Sequence, residues 1–197
     1  AAPTTPGARP AAPATGTRAD AFEEEPFKFS IAPELHSGGL LVGEASHKIH
    51  LGLLVAQAAE IRGLQAAFLA GIATDHLRGF QGSLIGNAVG QDMSGFQGAV
   101  LLNYVGRDVE YVQAAGVANY TRGMLAGYQT AGLLNVTMGA LRGFQHSGGV
   151  NIAGEDLGGA QLGLFNYTEG TTRGAQTAAL ANHSFEIAGA QLAALGN

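Results

Sequence analysis

The residues that could do chemistry in this chain are an adjacent histidine and serine, His146 and Ser147, with Asp156 a short distance later. Serine, histidine and aspartate together are the nucleophile, base and orienting acid of many hydrolases. However, His146 and Ser147 occupy places where related segments of the chain carry Ala, Gly or Thr. We therefore expect no enzyme activity and no catalytic residue.

Metal and phosphate chemistry are not favoured either. The six histidines share no metal-ligand spacing, and they are His36, His47, His50, His76, His146 and His183. Acids near predicted turns, such as Asp92 and Asp108, could bind calcium, but the repeated Asp-rich turn signature is missing. No glycine motif of a nucleotide-binding loop occurs. We expect no metal and no cofactor.

A sixteen-residue repeat organises most of the chain. A glutamine recurs at this spacing, with two final steps of fifteen, at Gln65, Gln81, Gln97, Gln113, Gln129, Gln145, Gln161, Gln176 and Gln191. An asparagine follows most of these glutamines six residues later, at Asn87, Asn103, Asn119, Asn135, Asn151, Asn182 and Asn197, with Asn166 one residue early. A glycine usually lies two residues before the glutamine, and Tyr111 is the exception. Such a period predicts an array of stacked units.

The motif Gly-x-Gln-x-(small)-x-(aliphatic)-x-Asn, as in residues 95–103, resembles the repeat of poorly characterised secreted and surface repeat proteins of bacteria. The resemblance covers residues 49–197. It implies an exported, surface-associated role and transfers no active site.

Each repeat is predicted to form one coil of an all-β protein, a β-solenoid of nine to ten coils with an N-terminal extension. Two helices cannot fit stably into sixteen residues, and Gly and Asn at fixed places oppose helix. Stacked coils would place Gln on Gln and Asn on Asn, so the amides form hydrogen-bonded ladders. The regular polar residues then need no ligand to explain them.

Strand alternation predicts which residues face inward. Besides Gln and Asn, we expect inside the residue four before each glutamine: Ile61, Leu77, Met93, Val109, Leu125, Leu141, Leu157 and Ile187. We also expect inside a mostly aliphatic residue four after it: Leu69, Ile85, Leu101, Val117, Leu133, Phe165, Leu180 and Leu195. Ile49 and Val55 are expected to take the Gln and Asn places of an atypical first coil.

Two surface chemistries are weakened by the repeat. Asn119, Asn135, Asn166 and Asn182 match the glycosylation sequon but belong to the predicted inner ladder. A column eight residues after most glutamines contains Thr121 and Thr137, with Thr168 one residue early in the shortened coil, and suggests the threonine ladders of ice-binding solenoids, but Ala and Val interrupt it.

Composition excludes two classes of partner. Only 13% of residues are charged and the net charge is −5, so no basic stripe exists for nucleic acid. No apolar run has the length of a membrane helix, since Glu60 and Arg62 interrupt the most hydrophobic stretch. The chain begins Ala-Ala-Pro, as after signal-peptide removal, so we expect an exported protein, extracellular or at the cell surface, with a cell surface as a further contact.

Two parts are predicted along the chain. Residues 1–44 form an Ala/Pro/Thr-rich tether that ends with one short strand over residues 27–31, bracketed by Pro26 and Pro33. Residues 45–197 form the solenoid. The strand is expected either to cap its own first coil or to add to a neighbouring copy.

The leading functional hypothesis is a structural subunit that assembles with itself, head to tail, into an extracellular fibre or surface layer. The final coil reaches its ladder Asn and stops without a cap, and an open sheet edge invites pairing. The alternative is a non-polymerising adhesin or ligand-binding module. The predicted assembly interface comprises Phe27, Phe29, Ile31, Phe80, Phe96, Tyr128, Phe144, Gln191, Leu195 and Asn197.

Overall fold

The computed structural model describes residues 24–31 and 46–197, so the predicted tether and the segment 32–45 lie outside the described residues. The described chain is a parallel all-β solenoid of about nine turns without helix, and it confirms the predicted fold class. Each coil consists of one longer strand and one short strand joined by two corners.

The strands follow the repeat. After β1 (Glu24–Ser30), the longer strands are β2 (Ser46–Gly52), β4 (Glu60–Ala67), β6 (Leu77–Ser83), β8 (Met93–Ala99), β10 (Val109–Ala115), β12 (Leu125–Ala131) and β14 (Leu141–Ser147). The short strands are β3 (Val55–Ala58), β5 (Ala70–Ala73), β7 (Gly86–Val89), β9 (Leu102–Val105), β11 (Ala118–Thr121), β13 (Leu134–Thr137) and β15 (Val150–Ala153). The array continues through β16 (Ala160–Thr172), β17 (Ala175–Ile187) and β18 (Ala190–Ala193).

Neighbouring coils pair in parallel and in register. Gln113 lies between Gln97 and Gln129, and Asn119 lies between Asn103 and Asn135. The shortened coil keeps this register, because a shift between Gly163 and Phe165 absorbs the missing residue and leaves Asn166 opposite Asn151. The sequence spacing thus translates directly into stacking.

The inside of each coil has an apolar half and an amide half. The residues four before each glutamine are buried from Ile61 to Leu157, as predicted, and pack against the column eight after it, which includes Val89 and Val105. The last member, Ile187, is 50% exposed. Gln and Asn fill the other half of the cross-section.

One predicted inner column is wrong. Leu101 is 41% exposed and Leu133 is 61% exposed, because the chain turns at these residues instead of continuing as a strand. The corner uses two residues, Val100 and Leu101 between β8 and β9, and both point outward. An even number of corner residues preserves the alternation, so Asn103 still faces inward.

The first coil also differs from the prediction. His50, and not Ile49, pairs with Gln65, because the register shifts between His47 and Ile49. Ala56, and not Val55, pairs with Gly71 at the place that later coils give to Asn. The opening coil therefore has no ladder amide, as suits an end-capping unit.

β1 lies in parallel against β2 of the same chain and covers this first coil. It begins three residues before the predicted strand over 27–31 and ends one residue earlier, which leaves Ile31 in a bend. The Ser30 hydroxyl lies 3.0 Å from Nε2 of the buried His50 and donates to the Val55 carbonyl at 3.2 Å. In this arrangement β1 is an intramolecular cap.

A positive φ explains the glycine two residues before glutamine. Gly95 has φ 144°, and a Cβ there would lie 2.0 Å from the carbonyl oxygen of Gly79 in the preceding coil. Tyr111 occupies the same column with φ 91° and is the one non-glycine residue with positive φ among residues 24–31 and 46–197. The backbone is therefore strained at Tyr111.

Candidate assembly surface

The glutamine side chains form a hydrogen-bonded ladder along the inside of the rod. From Gln81 to Gln191, each Nε2 donates to Oε1 of the glutamine one coil earlier, at 2.5 to 2.9 Å. The first donor, Gln65, instead reaches the carbonyls of Ala56 and Ile72. All glutamines of the ladder therefore donate toward the N-terminal end of the rod.

The asparagine ladder runs in the other direction. From Asn87 to Asn182, each Nδ2 donates to Oδ1 of the asparagine one coil later, at 2.9 to 3.0 Å. The second hydrogen of each Nδ2 goes to a backbone carbonyl of that later coil, as from Asn119 to Thr130 at 2.5 Å. Ladder asparagines such as Asn135 are fully buried, which supports discounting the sequons.

The threonine column also lies inside the rod, and the sequence pattern had not been interpreted as an inner column. Thr121, Thr137 and Thr168 are fully buried. The Thr121 hydroxyl donates to Gln113 Oε1 at 3.1 Å and lies 3.3 Å from Nε2 of Gln129, so it bridges two rungs of the glutamine ladder. These buried hydroxyls are not available to bind ice. The same alternation that places Asn inside predicts this column inside too, two residues later.

Charge is confined to one edge of the rod. From Gln65 onward, Asp, Glu, Lys and Arg occur only between nine residues after one glutamine and three residues before the next, with Glu169 of the shortened coil one residue early. These places are the three-residue corner, such as Gly106 to Asp108 between β9 and β10, and the next outward position, such as Arg78. We call this side the charged edge.

The acids of the charged edge have structural partners. Asp108 Oδ1 accepts the backbone N–H of Met124 at 2.7 Å, and Asp156 Oδ1 accepts that of Thr171 at 2.8 Å, each one coil later. The Thr171 N–H and the Arg173 guanidinium, 2.6 Å from Asp156 Oδ2, hold the pKa of Asp156 below its ordinary value. Single carboxylates thus join successive corners, which supports the preference for turns over calcium sites.

The rest of the outer surface is largely apolar from Gln65 onward, apart from residues such as Thr130 and His146, and it begins with a column of aromatic and aliphatic side chains. We call ring column the residues immediately before the first six glutamines of the ladder: Leu64, Phe80, Phe96, Val112, Tyr128 and Phe144. Alanine takes this place before the last three glutamines. Phe80 stacks on Phe96 with ring centroids 5.0 Å apart, and Tyr128 stacks on Phe144 at 5.4 Å. A Cβ on Gly98 would lie 2.7 Å from the Phe96 ring, so this ring lies over the glycine.

A second apolar column follows the two-residue corner. We call corner column the residues Leu54, Leu69, Ile85, Leu101, Val117 and Leu133, which follow one another along the rod. Ile85 is 48% exposed, and the adjacent Val100 is 53% exposed. The outward face between the ring column and the corner column is called the apolar wall below.

The predicted assembly residues fall into three places. Phe27 and Phe29 of β1, with Ile31 beyond its end, point outward, and Phe27 continues the ring column because it pairs with Ile49, which pairs with Leu64. Phe80, Phe96, Tyr128 and Phe144 lie in that column, between half-buried and exposed. At the last coil, Leu195 and Asn197 are exposed and Gln191 is half-buried. The structure does not bring the first and last groups together.

The other candidate chemistry is not assembled. His146 and Ser147 are successive residues of β14, so Ser147 is buried while His146 is exposed, and Asp156 lies at the charged edge bonded to Thr171. Across residues 24–31 and 46–197, no group of three or more His, Asp or Glu side chains could hold a metal ion. The same part of the chain contains no helix that could cross a membrane.

No family model, curated protein or solved structure matches this chain. The chain is a repeat protein of stacked coils of about sixteen residues, with buried ladders of Gln and Asn.

Proposed function

We propose that this chain is a structural subunit that assembles with copies of itself into an extracellular fibre or surface layer. The observation that carries the proposal is the distribution of charge. From Gln65 onward, most of the circumference of the rod has no Asp, Glu, Lys or Arg side chain, and it exposes Phe80, Leu84, Leu102 and Tyr104 at 41 to 51%. A single soluble rod gains nothing from such a surface, whereas a subunit of an assembly buries it.

The head-to-tail arrangement is supported by the parallel register of the strands. Among the strands of residues 24–31 and 46–197, β1 pairs with β2, and we propose that its other edge continues the sheet of another copy in the same parallel sense. Phe27 would then extend the ring column across the junction, with Phe29 two residues farther along the same strand. Alternatively β1 leaves its own first coil and adds to a neighbour, which the short contact of Ser30 with His50 opposes.

Export to the cell exterior rests on the resemblance to bacterial surface repeat proteins and on the low charge. A fibre or layer outside the cell is consistent with a chain that has no cysteine to oxidise. The proposal includes no catalytic function.

Negative-stain microscopy of the purified chain is the decisive experiment. Filaments many times longer than one rod, which is about 43 Å for nine coils at ~4.8 Å each, support the proposal. A peptide spanning residues 22–37 should shorten them if β1 exchanges between copies. Uniform single rods at every concentration would contradict assembly, and binding of such rods to a cell surface or glycan would support the alternative, an adhesin.

A further inference from the structure

The apolar wall is a large surface for one molecule to expose to water. It spans about 16 Å from ring column to corner column and about 38 Å along the eight longer strands from β1 to β14, or roughly 600 Å², at ~3.3 Å per residue and ~4.8 Å per strand. The largest exposed apolar patch of a typical monomer is about 300–600 Å², so the wall lies at the upper end of that range.

We propose that the apolar wall is a side-by-side interface with a second copy of this chain, so that two rods pack face to face along their length. The inference rests on the proposed structural function but names a different contact, since head-to-tail joining uses the ends of the rod and this contact uses its side.

The repeat spacing selects a second copy as the occupant. Side chains of the wall recur once per coil, and the stacked ring pairs lie 5.0 and 5.4 Å apart. A second copy has the same spacing, so its side chains fit between those of the first along the whole length. A partner with another period loses this fit after a few coils.

The area and the charge agree with that choice. Two walls bury about 1,200 Å² together, at the lower end of the ~1,200–2,000 Å² of stable protein interfaces. A lipid surface is the less favoured occupant, because residues 45–197 have seven basic and nine acidic residues and thus no excess of cations for anionic headgroups.

Two leucine-sized side chains of one coil provide a matched test. Leu133 lies at the apolar corner and is 61% exposed, while Met138 lies at the charged edge and is 48% exposed. Leu133→Lys puts a charge into the proposed interface, and Met138→Lys makes the same change outside it. Both positions are exposed, so both variants should melt like the parent, which circular dichroism checks.

Sedimentation velocity over a concentration series measures the association. The parent and Met138→Lys should form side-by-side pairs, and Leu133→Lys should dissociate about tenfold more readily or not pair at all. Equal association of all three variants, or equal weakening in both lysine variants, overturns the proposal. A parent that stays single and floats with phosphatidylcholine vesicles also overturns it, in favour of a lipid surface.

Microscopy separates this proposal from head-to-tail assembly. Filaments one rod wide, unchanged by Leu133→Lys, leave the proposed fibre intact and refute the lateral pair. Paired rods that do not elongate support the lateral pair and refute the fibre.

Discussion

At the scale of single residues, the buried amides dominate the chemistry of this protein. Gln113 accepts from Gln129 and Thr121 and donates to Gln97, all inside the rod. Replacing one ladder residue therefore leaves polar groups of the neighbouring coils without hydrogen-bond partners. The ladders stabilise the fold only as complete chains of donors and acceptors.

Gln113→Leu should lower the free energy of unfolding by about 2–6 kcal/mol, since it leaves the buried amide oxygen of Gln97 without a donor and the buried Thr121 hydroxyl without an acceptor, at ~1–3 kcal/mol each. Urea denaturation measures the change. The control is Gln91→Leu, which removes an amide from the charged edge, where Gln91 accepts only from Arg107 at 3.3 Å, and should be close to neutral. Equal effects would mean that the inner amides are solvated.

Tyr111 is the one residue that replaces glycine two residues before a ladder glutamine. Tyr111→Gly should stabilise the chain relative to Tyr111→Ala by about 1 kcal/mol or more, because both variants lose the ring but only glycine relieves the positive φ. Thermal and urea unfolding of the two variants measure this difference. A more stable alanine variant would show that the backbone is not strained there.

At the scale of strands and corners, the sequence predicted the inward-facing residues wherever the strands alternate strictly. Gln113 and Asn119 were placed inside correctly because alternation and spacing both constrain them. Leu101 was placed inside wrongly, since apolar character cannot distinguish a strand residue facing inward from a corner residue facing outward. His50 was missed at the glutamine place because a local register shift has no signal in residue type.

Leu125 and Leu101 test the corrected assignment. Leu125 is fully buried, so Leu125→Ala should cost about 2–5 kcal/mol, whereas Leu101→Ala, at 41% exposure, should cost less than about 1 kcal/mol in the unassembled chain. Urea denaturation at low concentration, where copies remain separate, provides the comparison. Similar losses at both positions would mean that Leu101 is buried, as simple strand alternation predicts.

Asp156 links corner geometry to pH. Its pKa is lowered in the folded chain, so the ionised carboxylate stabilises the fold above the ordinary aspartate pKa, and this contribution disappears as pH falls through the lowered value. Asp156→Asn keeps an oxygen for the Thr171 N–H but loses the charge beside Arg173. The variant should be less stable than the parent at neutral pH and equal to it in strong acid. A difference that persists at acid pH would exclude ionisation as the cause.

At the scale of the whole molecule, the separation of charged edge and apolar wall controls solution behaviour. If copies associate through the wall, their association should change little between about 0.05 and 0.5 M NaCl, since salt screens charges that lie outside the contact. It should also show a negative heat-capacity change, the mark of apolar burial. Calorimetric dilution measures both, and a steep salt dependence would place the contact at the charged edge.

The opposed ladders have a consequence for the length of the rod. A side-chain amide is an electric dipole, and a single ladder of aligned amides would build a net dipole moment that grows with every coil and leaves partial charges at the two ends, as aligned peptides do in a helix. Here the glutamines point one way and the asparagines the other, so each coil that has both adds almost no net dipole. The repeat can therefore be multiplied with little increase in the net dipole moment of the ladders, and the number of coils sets the length of the molecule.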